Sequence, residues 1–189
     1  MQAIRVHEGG ELRFEHAPDP EPAPGEVVVE LRAAGLNRRD LLVRKGVYPF
    51  PLPLVPGSDG AGVRRDTGEE VVILPSLDWG PSEACGGPDF QILGGPRDGT
   101  YAELVAVPAA NCYPRPEGLS WEEAAAFPLA ALTAYRALFV RACMRMGETV
   151  LVLGAGSGVS TFAVQLAVQE GARVLVTSSS DEKLARARE

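Results

Sequence analysis

Thr149–Ser160 reads TVLVLGAGSGVS. Its first five residues are all β-branched or leucine, three glycines follow at 154, 156 and 158, and TFAVQLAVQ (161–169) then places apolar residues at helical spacing. Physically this is a buried parallel strand, a tight turn that requires glycine, and a helix whose first N–H groups point back at the turn. Such a turn seats a pyrophosphate. A second strand, ARVLVTS, ends at Ser178, 20 residues after Gly158, the layout a dinucleotide fingerprint requires. The spacing is G-A-G-S-G-V-S, with Val159 in the sixth place of G-x-G-x-x-G. Gly154, Ala155, Gly156, Ser157, Gly158 and Val159 are therefore the expected cofactor-binding residues.

Ser178 stands where an NAD site carries an acid for the ribose 2′-hydroxyl. Ser178, Ser179 and Ser180 supply hydroxyl and backbone donors at the start of a helix, with Lys183 one turn in, so a 2′-phosphate is accommodated and NADP(H) is the expected cofactor. Two other readings stand beside it: Ser180 simply caps the helix, and Asp181 reaches a ribose.

Upstream, the pattern is β-rich. AIRVHE and ELRFEH, parted by Gly9 and Gly10, predict a hairpin. Prolines 18, 20, 22 and 24 predict an extended loop, since proline lacks the donors of a central strand. Val27–Asn37 is the strongest strand of the first half, and RRDLLVRKG predicts a short helix capped by Gly46. Strands also follow from GSDGAGVR, VVILP and YAELVAVPA, with an irregular Gly/Pro-rich lobe over 75–100. These elements predict a small β-barrel-like domain over 1–115. Ser120 and Glu123 form a capping box before an alanine-rich helix that Pro128 breaks at Phe127. A second helix, LAALTAYRALFVRA, leads to the glycine turn, and 116–189 is the second domain. The expected class is thus β followed by α/β.

A net charge of −7 argues against nonspecific nucleic-acid binding and points to small-molecule ligands. No apolar run approaches the roughly 20 residues of a membrane helix, and MQAIRVHEGG lacks the regions of a signal peptide, so a cytoplasmic protein is expected. Cys85, Cys112 and Cys143 are odd in number and never spaced C-x-x-C, which suggests neither disulfides nor a zinc knuckle.

AAGLNRRD, VPGSDGAG, DWGPSEACGGPDFQILGG, DGTYAELVAVPA, LSWEEAAAFPLAALTAYRAL and VLVLGAGSGV occur in the order of, and together resemble, the medium-chain dehydrogenase/reductase superfamily. The resemblance implies a GroES-like β-barrel domain followed by a Rossmann doubly wound parallel sheet, here its first half, and is nearest the zinc-free quinone oxidoreductase-like branch. Where zinc members carry cysteine and histidine ligands this chain has Asn37 and Ser58, the third ligand place is apolar, and the lobe keeps Cys85 alone. Such a set does not hold Zn²⁺, so no metal is expected. The same resemblance places Asn37, Asp40 and Tyr48 at the catalytic end and Thr133 beside the nicotinamide, with Lys183 at a 2′-phosphate. Against it, Asp40 reads equally as a cap or ion-pair residue of its helix and Tyr48 as a core aromatic. Leu42 replaces a further family tyrosine, which weighs against quinones as substrates.

The implied reaction is metal-independent hydride transfer from NADPH to an activated C=C or C=O bond. The rival is a non-catalytic nucleotide-binding or interaction module, because the sequence stops at Glu189, just past the second strand of the unit the glycine turn begins. Two apolar strands that a full sheet would cover then have bare edges, and a homo-oligomer is expected.

Overall fold

The computed structural model describes residues 1–188, which divide into two compact units, Met1–Leu129 and Ala130 onward. In the first, β1 (Gln2–Val6) and β2 (Leu12–His16) pair antiparallel across the Gly9–Gly10 turn as the sequence predicts. β3 (Glu26–Gly35) leads into α1 (Arg38–Arg44), followed by β4 (Asp59–Arg64) and β5 (Glu70–Ile73). β6 (Ser76–Leu77) and β7 (Gln91–Ile92) form a separate small hairpin. β8 (Leu104–Pro108), β9 (Cys112–Pro114) and α2 (Trp121–Ala126) complete the unit. The main sheet has the order β8-β3-β4-β5-β9, antiparallel throughout.

Alternation along the strands sets the register. Val27 and Val29 of β3, Val71 and Ile73 of β5, and Val105 and Val107 of β8 point to one face and bury together with Leu77 and Leu93. Val72, between the two β5 core residues, points the other way and packs with Ala61 against Ala124 and Ala125 of α2. A one-residue slip would exchange the faces, forfeiting roughly 1.5–3 kcal/mol for each buried valine or isoleucine. The β3–β4 pairing shifts between Leu31 and Ala33, a bulge that lets β3 turn toward α1.

The structure departs from the sequence reading in two places. The lobe over 75–100 is not wholly irregular, since it contains the β6–β7 hairpin and roots itself by burying Leu77 and Leu93 completely. The run LAALTAYRALFVRA is not one α-helix: α3 (Pro128–Tyr135) gives way to a π-helical turn over Arg136–Arg141. The Ser120–Glu123 capping box and the break at Phe127 occur as expected. α2 packs on the sheet through its two alanines and so lies within the first compact unit.

In the second unit β10 (Thr149–Leu153) and β11 (Arg173–Thr177) are parallel, with Thr149 opposite Arg173, joined through α4 (Gly158–Gln169) and followed by α5 (Asp181–Arg186). Val150 and Val174 face a cluster with Leu138, Met144, Ala163, Leu166 and Ala167. Leu151, Leu153 and Leu175, on the opposite side of the strands, are 58%, 72% and 44% exposed, so one face of the pair is covered and the other bare. No helix among the described residues is long and apolar enough to cross a membrane.

Candidate functional site

The chain leaves β3 at Gly35 and enters α1 through Asn37, whose extended backbone (φ −124°, ψ 149°) makes it the N-cap. Its side-chain nitrogen donates to Asp59 Oδ2 at 2.9 Å, while the return half of the capping box is made by Asp40, whose Oδ2 accepts the Asn37 N–H at 2.7 Å. The same Oδ2 accepts the Tyr101 hydroxyl at 2.6 Å. Asp40 is buried, and its Oδ1 has no hydrogen-bond partner among the described residues. Asp40 is thus the helix cap that the plainer reading expected, with one acceptor to spare.

Asp59 is fully buried. Its Oδ1 accepts the N–H of Leu129, in the first turn of α3, at 2.8 Å, and its carbonyl accepts the Thr100 hydroxyl at 2.8 Å. Burial pushes the carboxyl up to about 6; the Asn37 and Leu129 bonds oppose the shift and the nearby Asp40 charge adds to it. Burial, and then the bond to Asp40, raise the Tyr101 phenol far above its ordinary value, so it remains a donor.

Arg39 occupies the flank of this network. Its Nη1 donates to Ser58 Oγ at 3.4 Å and to the Leu93 and Gly94 carbonyls at 3.5 and 3.2 Å, and its Nη2 donates to the Gly95 carbonyl at 2.6 Å. The Tyr48 and Phe50 rings each lie 5.8 Å from the guanidinium carbon. Tyr48 is 42% exposed, so it is not a core aromatic, and no hydrogen bond joins it to Asn37 or Asp40 among the described residues. The seat of Arg39 is main chain. Gly57, Gly94 and Gly99 are stacked so closely that a Cβ on Gly94 or Gly99 would overlap the Gly57 backbone. At the place of the family's histidine ligand, Ser58 thus has a fixed cation beside it, and no cluster of three or more His, Cys, Asp or Glu suited to a metal occurs among the described residues.

In the second unit the glycine turn is held from below by Thr177, whose carbonyl accepts the N–H groups of Gly154 and Ala155 at 3.2 and 2.9 Å. Ser157 caps α4, its hydroxyl accepting the Ser160 N–H at 3.0 Å. The N–H groups of Gly158 and Val159, in the first turn of α4, have no carbonyl one turn back within the helix. Gly156 has φ of 91°, and a Cβ there would lie 3.0 Å from Lys183 Cδ. A Cβ on Gly158 would lie 3.4 Å from that of Ala130, an ordinary contact distance. Ser180 caps α5 and Ser178 Oγ accepts the Ser180 N–H at 3.1 Å, while Ser179 and Lys183 are exposed. Lys183 therefore lies against the turn, Ser178 and Ser180 sit at the tip of β11, and Thr133 is exposed on α3.

Asn37 and Asp40 lie together, as the sequence reading has them, but that reading missed Asp59, Tyr101 and Arg39 around them. Asp59 carried a signal, a carboxylate in a run of small residues that must find donors once buried. Arg39, on the first turn of a short helix, carried none.

A βαβ unit with a glycine turn between its first strand and helix is the arrangement found at dinucleotide sites of doubly wound folds. The alcohol dehydrogenase GroES-like domain matches residues 23–117, and the chain belongs to that family within the medium-chain dehydrogenase/reductase superfamily. It is 49% identical over 177 residues to a zinc-type alcohol dehydrogenase-like protein of Schizosaccharomyces pombe, covering 85% of this chain and 50% of that protein. The crystal structure of an NAD-dependent alcohol dehydrogenase matches with a TM-score of 0.91 at 46% identity, covering 100% of this chain and 61% of that one. The quinone oxidoreductase of Thermus thermophilus, solved also with NADPH, matches with a TM-score of 0.79 at 40% identity, covering 100% and 57%. The chain spans about half the length of the curated relatives it matches.

Proposed function

We propose that this protein serves an NADPH-dependent oxidoreductase that reduces an activated C=C or C=O bond without a metal ion. The observation that carries the reading is the Lys183 side chain lying against Gly156, which supports a cation beside the glycine turn, with Ser178 and Ser180 at the start of the helix that carries it. The turn fits the group, since it offers a glycine cradle, the N–H groups of Gly158 and Val159, and Lys183 for a 2′-phosphate. When bound, the dihydronicotinamide supplies the hydride.

The remaining work falls to the chain's own residues. Asn37 keeps one amide N–H to polarise a carbonyl oxygen after giving the other to Asp59. Metal independence is supported by the donors at the ligand places, an amide and a hydroxyl, and by the Arg39 cation beside Ser58, which repels a second cation. Self-association is supported by the bare Leu151, Leu153 and Leu175 face.

The test is a fluorescence titration of the protein with NADPH and NADH, followed by an NADPH-oxidation assay with enones and quinones. About tenfold or greater preference for NADPH is expected from one charged hydrogen bond. Equal affinities would overturn the coenzyme assignment, and binding without oxidation of NADPH by any acceptor would favour the non-catalytic module.

A further inference from the structure

Arg39 has no ion-pair partner among the described residues, and the charge that acts on it most directly is that of Asp40, next in sequence. Four other half-buried arginines each have a carboxylate: Arg5 with Glu15, Arg64 with Asp66, Arg97 with Glu26 and Arg115 with Glu70. Among the described residues no carboxylate lies within ion-pair distance of Arg39, whose bonds all go to neutral oxygens, those of Ser58, Leu93, Gly94 and Gly95. Its Nε–H has no partner among them. Burial draws its pKa down from the ordinary arginine value, but a guanidinium keeps its proton at any physiological pH. A half-buried charge bonded only to neutral oxygens, with Asp40 acting on it from outside ion-pair distance, gains from an anion brought to its unbonded Nε–H.

The surroundings define what kind of anion. The Tyr48 and Phe50 rings stack within 6.3 Å of each other, each 5.8 Å from the guanidinium carbon, and Tyr48 is 42% exposed, so the pair forms an apolar rim that solvent reaches. An inorganic anion would leave this rim wet. A small acid with a flat apolar body would cover the rings while its carboxylate meets the guanidinium. The seat is rigid, because three of the four acceptors that hold Arg39 are main-chain carbonyls braced by the Gly57, Gly94 and Gly99 stack.

We propose that Arg39 anchors the carboxylate of an unsaturated or aromatic acid, with Tyr48 and Phe50 holding its apolar body. This names the substrate class and rests on the reading that the Asn37 face receives substrate. The Nε–H of arginine gives its own ¹H–¹⁵N NMR signal, so the full chain is titrated with benzoate and with benzamide, which differ in charge and hardly in shape. Benzoate should shift the Arg39 signal saturably and bind about tenfold or more tightly than benzamide, as a charged hydrogen bond predicts. Arg39→Lys should retain part of this affinity, Arg39→Gln should lose it, and Tyr48→Ala should weaken it several-fold while leaving Arg39 responsive.

A response to benzamide equal to that to benzoate, a linear unsaturable shift, or unchanged benzoate affinity in Arg39→Gln would each overturn the proposal. If Arg39→Gln does not fold, the benzoate and benzamide titrations of the unaltered protein decide alone. No coenzyme enters these titrations, so failure here is distinct from failure of the reductase reading, which appears in NADPH oxidation.

Discussion

The side-chain amide of Asn37 is held by Asp59, 22 residues away in sequence and fully buried, through a hydrogen bond of 2.9 Å. The pairing fixes which way the amide faces: its nitrogen is turned to the carboxylate. A residue that family resemblance places at the catalytic end is thereby oriented by a strand residue with no exposure of its own.

Asp59→Asn should be destabilising at neutral pH by about 1–3 kcal/mol, because an amide NH₂ would meet one of the two donors that Asp59 now accepts. The two proteins should also differ in pH dependence. The folded carboxyl titrates at about 6 against 3.8 for an ordinary aspartate, so between those values the folded state binds more protons than the unfolded one. Stability from this group is therefore greatest below about pH 4, falls as pH rises to about 6, and is flat above. The fall should be on the order of 2–3 kcal/mol. Urea denaturation at about pH 4.5, 5.5 and 7 measures it, and a wild-type slope no steeper than the variant's would count against the burial argument.

Lys183→Ala should weaken NADPH by about 1–3 kcal/mol and NADH much less, if the ammonium reads the 2′-phosphate. Titration with both coenzymes distinguishes this from a pyrophosphate contact, which would weaken both alike.

Gly156→Ala forces a Cβ onto a residue at φ of 91°, within 3.0 Å of Lys183 Cδ. The lysine can move aside but the backbone strain remains, on the order of 1–3 kcal/mol. Thermal unfolding should show the loss, and adding Lys183→Ala should recover only a minor part of it.

Protein purified without chelator should contain only substoichiometric zinc by elemental analysis. Stoichiometric zinc bound at the Asn37–Ser58 face would contradict the donor argument, since neither residue is a zinc ligand of the N/S kind.

Leu153→Lys should reduce self-association in light scattering without lowering the unfolding midpoint, because Leu153 is 72% exposed and contributes little to the packed face of its strand. A variant that unfolds instead would show that Leu153 is packed in solution.

The elements were readable where period and punctuation agree. TVLVL, the glycines and TFAVQLAVQ name strand, turn and helix directly, and Ser120 with Glu123 names a helix start. What escaped depended on contacts distant in sequence. Nothing local indicates that Leu77 and Leu93, inside a Gly/Pro-rich lobe, complete the core of strands β3, β5 and β8. Nor does RRD, at the head of a seven-residue helix, reveal that one arginine turns inward onto carbonyls more than fifty residues on, as Arg39 does to Gly94 and Gly95. The π-helical turn after Tyr135 was likewise hidden, since RALFVR suits an α-helix equally well.

The glycine stack at 57, 94 and 99 divides the surface near Arg39 into a part that mutation can edit and a part that it cannot. A leucine in a core can be exchanged for methionine with its neighbours adjusting, but backbone lying directly on backbone has no side chain to trim, so a substitution there must move the chain itself. The carbonyls that hold the guanidinium inherit that immobility. Tyr48, exposed and outside the stack, is under no such constraint. Among descendants of this sequence, the position of the cation should be nearly invariant while the rim around it drifts, and new specificities would arise at the rim without the anchor being rebuilt.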